Sequence, residues 1–199
     1  MQESNLRIPF VRYNICMLYL MRHGRTDWNV RHKLQGRTDI PLNEEGREMA
    51  RAAHDEYLDT HFDICYCSPL VRAKETAEIL LEGRNVPIVT DDRLMEMCFG
   101  DYEGIEHSFK IPDCPINVVF WDPASYKESV GGAETFEELN ARTASFLSEL
   151  VYPKLEEGKD ILIVGHGAMN CSLVYNIKLL PIEEFWSFGL AQCKLMELS

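Results

Sequence analysis

The sequence lacks long apolar runs, and its start does not have the pattern of an export signal. No window approaches the ~18 consecutive apolar residues that a membrane-spanning helix requires, so no membrane span is expected. The stretch Met1–Arg12 contains neither an uninterrupted apolar segment nor a small-residue cleavage site, and it is therefore not a secretory signal. Both observations favour a cytoplasmic location and a protein without a membrane partner.

Basic residues are scarce relative to acidic ones. The chain has 20 lysines and arginines against 32 aspartates and glutamates, a formal net charge of -12. Phosphate backbones require a basic face, so nucleic acid is not an expected partner. A small anionic molecule remains compatible with this composition if the few arginines converge in one pocket and focus a positive potential there.

The number and spacing of the cysteines do not indicate disulfide pairs. The chain has 7 cysteines, an odd number, with no repeated Cys-x-x-Cys. Cys65 and Cys67 are two positions apart in an apolar run, a spacing that suits neither a short disulfide nor a zinc knuckle. We therefore expect reduced, mostly buried thiols and no structural metal.

The length and composition indicate one globular domain. The 199 residues are 46% hydrophobic and 26% charged, enough for a substantial core. Met17 directly precedes the first clear strand pattern. We therefore expect residues 1–16 to be an extension or an upstream start-site artefact, and residues 17–199 to form a single domain.

Apolar runs of strand length alternate with helical patterns along the chain. Strands are predicted at 15–21, 62–67, 86–89, 161–164 and 190–198, with a short extended piece at 94–99. Helices are predicted from Asn43, from Ser68-Pro69 to about Leu81, over about 134–155 and from Gly167 to about Leu179. This alternation predicts a three-layer α/β/α sandwich on a mostly parallel central sheet, with a lid-like irregular excursion at about 100–132.

Polar clusters follow three of the predicted strands. They are Arg22-His23-Gly24, the segment from Ser68 to Arg72, and Gly165-His166-Gly167. The carboxyl ends of parallel strands all lie at the same end of the sheet, and ligands bind there in such folds. We therefore expect these clusters to converge in space.

The residue types in these clusters suit phosphoryl transfer. His23 offers a neutral nitrogen nucleophile, His166 a second donor, and Arg22 and Arg72 forked donors that match phosphate oxygens. Glu96 lies among apolar neighbours, where desolvation would favour the protonated form that a general acid requires. Each residue alone is more often structural, so the hypothesis depends on their convergence. With neither a P-loop nor an aspartate-rich triad in the sequence, we expect no metal and no cofactor.

The chain also resembles the histidine phosphatase superfamily, which includes cofactor-dependent phosphoglycerate mutase. R-H-G-R-T-D-W-N at 22–29 matches the family's RHGxTxxN. Further matches in the right order are Leu34-Gln35-Gly36, Asp39 to Leu42, Ser68 to Ala73, Glu96 with Phe99-Gly100, Gly131-Gly132 with Glu134, and Gly165-His166-Gly167.

The resemblance implies a phosphoglycerate mutase-like fold and a role for each site residue. His23 would be phosphorylated, and Arg22, Arg72 and His166 would hold the phosphoryl group. Glu96 would protonate the leaving oxygen and then activate water. The implied substrate-binding residues are Asn29, Gln35, Gly36 and Gly167.

The motifs alone do not separate a phosphatase from a mutase, because both share the first half-reaction. The family's mutases are longer, with an insertion after the acid segment, whereas the span from Gly104 to Gly131 is modest here. We therefore predict a metal-independent phosphatase that hydrolyses a small phosphorylated metabolite through a phosphohistidine. The alternatives are a phosphoglycerate-type mutase and a phosphometabolite-binding protein with weak catalysis.

Two further expectations concern surfaces. Aromatic and apolar residues of the excursion would form a lid that suits a substrate with ring or nonpolar character, or would simply pack the excursion onto the domain. They are Phe109, Val118, Val119, Phe120, Trp121 and Tyr126. The last predicted strand would lie at an edge of the sheet, where it can pair with the same strand of a second copy, so the sequence is compatible with a homodimer.

Overall fold

A computed structural model describes residues 16–198, and within this range the strands form one five-stranded sheet of order β3-β2-β4-β1-β5. The strands are β1 Leu18–Arg22, β2 Ile64–Cys67, β3 Ile88–Thr90, β4 Ile161–Gly165 and β5 Leu195–Leu198. β1 to β4 are parallel, and β5 is antiparallel to β1 at one edge. The mostly parallel sheet is confirmed. All of the predicted extension except Cys16 lies outside the described residues.

Helices cover both faces of this sheet. They are α1 Asp27–Val30, α2 Glu44–Glu56, α3 Val71–Leu80, α4 Val118–Trp121, α5 Phe136–Phe146, α6 Tyr152–Glu156 and α7 Gly167–Lys178. Along β1, Tyr19 and Met21 pack in the core that also holds residues of α2 and α3, while Leu18 and Leu20 pack in the core with residues of α5 and α7. Successive side chains of a strand face opposite ways, so the three-layer sandwich is confirmed. No helix within residues 16–198 is long and apolar enough to cross a membrane.

The helix predicted to begin at Ser68-Pro69 begins later, at Val71. Leu70 has ψ 135°, so its backbone is still extended, and the first N–H of the helix, that of Val71, donates to Asp39 Oδ1 at 2.8 Å. The Ser68 hydroxyl lies 2.7 Å from His166 Nε2. The prediction of a Ser68 cap was wrong because this hydroxyl serves a distant partner.

The single helix predicted over 134–155 is three segments. Thr135 and Glu138 form a capping box at the start of α5, and residues 147–151 form a π-helix before α6. Pro153 lacks an N–H and its ring would clash with the carbonyl one α-helical turn earlier. A wider π turn before the proline relieves that clash.

Two predicted extended segments are also shorter in the structure. The last strand spans Leu195–Leu198 rather than 190–198, because Cys193 has φ +52° and turns the chain. The stretch 94–99 follows a 3-10 turn, Asp92–Leu94, and has no regular structure over 95–99. All seven cysteines are free thiols, as predicted.

The excursion over 100–132 consists of short 3-10 turns and α4. Val119 and Tyr126 are buried in a core of their own beside α5. Trp186 Nε1 donates a 2.8 Å hydrogen bond to the Val119 carbonyl, which ties α4 to the segment after α7. Phe109 and Trp121 remain more than half exposed. Part of the predicted lid is therefore packing and part is accessible surface.

Candidate active site

The ends of three adjacent strands bring His23, Ser68 and His166 together. Within the sheet Arg22 is paired with Gly165, and the backbone N–H groups of His23 and Ser68 donate to carbonyls of β4 at 2.9 and 3.1 Å. The ring centroids of His23 and His166 lie 5.1 Å apart. The predicted convergence of the polar clusters is present in the structure.

His23 is buried and oriented by its own loop. Its Nδ1 lies 2.7 Å from the Gly24 carbonyl oxygen, and its side chain is almost inaccessible to solvent. A carbonyl oxygen only accepts hydrogen bonds, so Nδ1 carries the proton of the neutral ring. Nε2 is then left with a free lone pair, which is what a nitrogen nucleophile requires.

The charges around His23 favour this neutral form. Burial, and then the Arg72 and Arg22 guanidinium groups, lower its pKa well below 6.5, against a smaller opposite effect of the Gly24 hydrogen bond. Burial is also the main cause that lowers the pKa of His166 well below 6.5, followed by Arg72 and His23. Both rings are therefore neutral at neutral pH.

We expect neither His23 nor His166 to take up a proton as the pH falls through 6.5, where an ordinary histidine titrates. The measurement is an NMR titration of protein labelled at histidine ¹³Cε1, with His23→Gln and His166→Gln assigning the two resonances. Because the unfolded chain binds these protons near pH 6.5 and the folded chain does not, the free energy of unfolding should decrease as the pH falls below 6.5. A midpoint near 6.5 for either folded-state resonance would contradict the geometry.

Ser68 determines which nitrogen of His166 is a donor. Ser68 Oγ accepts from the Leu70 N–H at 3.3 Å and lies 2.7 Å from His166 Nε2. When the hydroxyl donates its proton to Nε2, the imidazole proton of neutral His166 is on Nδ1. Within the described part of the chain, His166 Nδ1 is buried without a hydrogen-bond partner. It is available to a phosphoryl oxygen.

Two arginines supply positive charge at the same place. Arg72 is fully buried, and its Nη1 and Nη2 donate to the carbonyls of Thr38 and Gly36 at 2.9 and 2.7 Å. Arg22 Nη1 makes only a long contact, 3.5 Å, with the Leu190 carbonyl. Within residues 16–198 the Nε atoms of both arginines are buried without a partner. Buried cationic donors beside a nucleophile suit a phosphoryl group with its charged oxygens.

The setting of Glu96 differs from the predicted one. Its Oε1 accepts from the N–H groups of Met97 and Met169 at 2.9 and 3.0 Å, and its Oε2 accepts from the N–H of Gly167 at 2.9 Å. The expectation of an apolar environment was therefore wrong. The carboxyl group lies at the N-terminus of α7, where free N–H groups and the helix dipole interact with an anion.

A second set of charged side chains holds the Glu96 backbone. Arg142 Nη2 and Arg37 Nε donate to the Glu96 carbonyl at 3.3 and 3.5 Å. Both arginines also pair with the buried Glu134 carboxylate, at 2.7 and 3.2 Å. Glu134 thus connects the start of α5 to the segment that positions Glu96.

The predicted substrate-binding residues lie at one cavity of about 260 Å³, which His23, Arg22, Arg72 and Glu96 also line. Thr26 Oγ1 lies 3.1 Å from Asn29 Oδ1 and 3.0 Å from Gln35 Oε1, so the NH₂ groups of both amides remain as donors. The structure places Asn29, Gln35, Gly36 and Gly167 in the lining of this cavity.

Gly36 is required by its backbone conformation. It has φ +53°, and a Cβ there would lie 2.0 Å from Glu103 Oε1. Glu103 accepts from the backbone N–H groups of Arg37 and Thr38, at 2.9 and 2.8 Å. This tight turn presents the Gly36 carbonyl to Arg72.

Other residues of the site were missed from the sequence. Gln192 Nε2 donates to Asn29 Oδ1 at 2.8 Å, and Trp186 lines the cavity beside Phe120, which is one of the predicted lid residues. No local pattern marks Gln192 or Trp186. Ser68 had a signal, since it follows a strand end just as His23 and His166 do, but it was interpreted as a cap.

The part of the chain that the structure describes contains one group of side chains close enough to share a metal ion. His61, Asp63 and Asp160 have ligand atoms within 4.8 Å of one another. They precede β2 and β4, so they lie at the amino ends of these strands, whereas His23 follows the carboxyl end of β1. This group is separate from the cavity.

Comparisons with known proteins agree with the geometry. Residues 18–199 match the sequence profile of the histidine phosphatase superfamily (branch 1). The chain is 39% identical over 160 residues to "Uncharacterized phosphatase PhoE" of Bacillus subtilis (strain 168), covering 79% of this chain and 75% of that protein. It is 27% identical over 182 residues to "2,3-bisphosphoglycerate-dependent phosphoglycerate mutase 2" of Gloeobacter violaceus, covering 90% and 83%. The solved structure of Bacillus stearothermophilus YhfR superimposes with a TM-score of 0.83 at 32% identity, covering 92% and 91%.

Proposed function

Because the chain belongs to branch 1 of the histidine phosphatase superfamily, we propose that it hydrolyses a small phosphomonoester through a phosphohistidine, without a metal ion. The observation that carries the proposal is the orientation of His23. Its Nδ1–H is held by the Gly24 carbonyl, so that Nε2 is free beside donors of Arg22, Arg72 and His166 that have no partner among residues 16–198.

In the first step, the lone pair of His23 Nε2 attacks phosphorus. A P–N bond forms and the bond from phosphorus to the alcohol oxygen breaks, with the electron pair leaving on that oxygen. Glu96 donates the proton that converts it to the free alcohol. Glu96 lines the same cavity as His23, which puts its carboxyl group within reach of the leaving oxygen.

In the second step, water attacks the phosphohistidine. Glu96 is now a carboxylate, and it accepts a proton from the water as the P–O bond forms and the P–N bond breaks. Inorganic phosphate leaves, and His23 returns to its neutral form with the proton still on Nδ1. The hydrogen bonds from Met97, Gly167 and Met169 to Glu96 support the carboxylate needed at this stage.

Arg22, Arg72 and His166 stabilise the charge on the transferring group. Phosphoryl transfer depends on positioning and on neutralisation of oxygen charge more than on covalent chemistry by the protein. Arg72 is held by the Thr38 and Gly36 carbonyls and His166 by the Ser68 hydroxyl before substrate binds, so these two donors need little reorganisation during the reaction.

The aromatic side chains that line the cavity indicate the chemical character of the substrate's alcohol part. Phe120 lies between Phe99, Phe109 and Trp186, with ring centroids 5.2–5.7 Å apart. Phe99, Phe120 and Trp186 line the same cavity as His23. Rings at this position favour a leaving group with flat or nonpolar character.

A phosphomutase is the second candidate, since matched relatives carry that name. A mutase must transfer the phosphoryl group from His23 to a second hydroxyl rather than to water. The two activities are separated by product analysis: a phosphatase releases inorganic phosphate, and a mutase gives an isomeric phosphoester.

We expect the purified protein to hydrolyse 4-nitrophenyl phosphate at an unchanged rate in excess EDTA, because the cationic donors are side chains. The measurement is release of 4-nitrophenol together with inorganic phosphate. Vanadate, which resembles five-coordinate phosphorus, should inhibit competitively. A folded protein that binds phosphoesters without turnover would instead support the binding-protein alternative.

A further inference from the structure

A second and larger cavity adjoins the one that contains His23. Its volume is about 870 Å³, and it shares Arg22, Asn29, Lys33 and Leu34 with the smaller cavity. The two cavities therefore meet at these four residues. A substrate whose alcohol part extends beyond the leaving oxygen can place that part in the larger cavity.

The walls of the larger cavity carry a charge opposite to that of the whole protein. Four cationic side chains line it, those of Arg22, Arg25, Lys33 and Lys110, against the single carboxylate of Glu45. In the chain as a whole acidic residues outnumber basic ones, 32 to 20. A concave surface lined by one sign of charge attracts counter-ions and small charged ligands.

Two lysines carry charge that no carboxylate in residues 16–198 neutralises. Arg25 is paired with Glu45 at 2.5 Å, whereas Lys33 Nζ lies over the Trp28 ring, 5.4 Å from its centroid. Lys110 is exposed and forms no ion pair within that range. Their ammonium groups remain available to an anion.

Backbone contacts hold together the two segments that carry Lys33 and Lys110. The His107 N–H donates to the His32 carbonyl at 3.0 Å, and Lys33 forms an antiparallel bridge with Glu106. The rings of His32 and His107 lie 4.9 Å apart, and both residues have φ +52°. These contacts hold the segment of Lys33 beside that of Lys110.

We infer that the larger cavity binds a second anionic group of the substrate, so that the preferred phosphomonoester carries a second phosphate, phosphonate or carboxylate on its alcohol part. This inference rests on the proposed phosphatase activity and specifies its substrate class. Lys33 and Lys110 would bind the second anion while Arg22, Arg72 and His166 bind the phosphoryl group that is transferred.

The test compares alkyl phosphates with ω-phosphonoalkyl phosphates over a series of increasing chain length. The phosphonate is a second anion that the enzyme does not hydrolyse, so each compound has one cleavable ester. At the best length we expect kcat/KM to be roughly 100-fold higher for the phosphonoalkyl compound, about tenfold for each of its two charge-assisted contacts with Lys33 and Lys110. Added salt should reduce this ratio because the interaction is partly exposed.

Charge-removing variants locate the second anion. Lys110→Gln and Lys33→Gln should each lower the ratio of the two kcat/KM values by about tenfold. Lys127→Gln is the matched control, since Lys127 is an exposed lysine of the same excursion that does not line the cavity, and it should keep the wild-type ratio. Melting temperatures would show that all three variants are folded.

The outcomes are distinguishable. If 4-nitrophenyl phosphate and the alkyl phosphates are hydrolysed but the phosphonate gives no advantage, the second-anion inference is wrong and the phosphatase proposal stands. If the advantage exists but is the same in Lys110→Gln, Lys33→Gln and the wild type, the anion binds elsewhere and the inference is equally wrong. No hydrolysis of any phosphomonoester would reject the proposed function itself.

Discussion

Replacement of His23 by alanine should abolish both the phosphoenzyme and hydrolysis. The imidazole Nε2 is the group that forms the P–N bond, and among the described residues that line the small cavity there is no cysteine, serine, threonine or second histidine to replace it. Loss of a covalent nucleophile costs on the order of 10⁴-fold or more in kcat. The measurement is ³²P incorporation from labelled substrate after rapid alkaline denaturation, together with steady-state phosphate release.

The design of this experiment must separate lost chemistry from lost folding, because the His23 ring is buried. His23→Gln keeps a polar side chain near the Gly24 carbonyl and should be equally inactive. His61→Ala is the matched control, since the His61 side chain is 71% exposed and lies near the amino end of β2, whereas His23 follows the carboxyl end of β1. An acid-labile label that persists in folded His23→Ala would show that another residue is the nucleophile.

The positions of His23 and His166 could be predicted from the sequence because they depend on local patterns. An apolar run that ends in a glycine-bearing polar turn marks the carboxyl end of a buried strand. Parallel pairing of β1 with β4 then makes the two strand ends neighbours. Two short motifs that are far apart in sequence are sufficient for this part of the site.

The surroundings of Glu96 and Ser68 could not be predicted because their partners are distant in sequence. Glu96 receives N–H groups from residues 167–169 of α7, and Ser68 contacts His166. Neighbouring residues suggested an apolar pocket for Glu96 and a helix cap for Ser68. Tertiary hydrogen bonds override such local preferences, since a polar group in the interior takes whichever partner the fold supplies.

The same limit applies to the two cavities. The aromatic residues of the excursion were visible in the sequence, but Trp186, which lies after α7, completes the wall. Lys33 and Lys110 are far apart in an acidic chain, and backbone contacts such as the Lys33–Glu106 bridge and the His107–His32 hydrogen bond bring their segments to one cavity. Charge focusing of this kind is a property of the folded surface and not of the composition.

Replacement of Glu96 by glutamine should separate the two half-reactions. An amide neither donates the proton that an alkoxide leaving group requires nor accepts a proton from water. With alkyl phosphates kcat/KM should fall by ~10²–10⁴-fold, the usual contribution of general acid–base catalysis. With 4-nitrophenyl phosphate, whose leaving group needs no proton, phosphorylation of His23 should continue, and the phosphoenzyme should accumulate because its hydrolysis is slow.

The readout is a burst of 4-nitrophenol equal to the enzyme concentration, followed by a slow steady state and an enzyme labelled with ³²P. In either orientation glutamine places its NH₂ against backbone N–H groups, that of Gly167 or those of Met97 and Met169, so Glu96→Ala with added formate is the second variant. Formate in that space restores a carboxylate and should restore turnover. If the loss of activity in Glu96→Gln were the same for alkyl and 4-nitrophenyl phosphates, with no burst, Glu96 would act in binding and the proton donor would have to be another group.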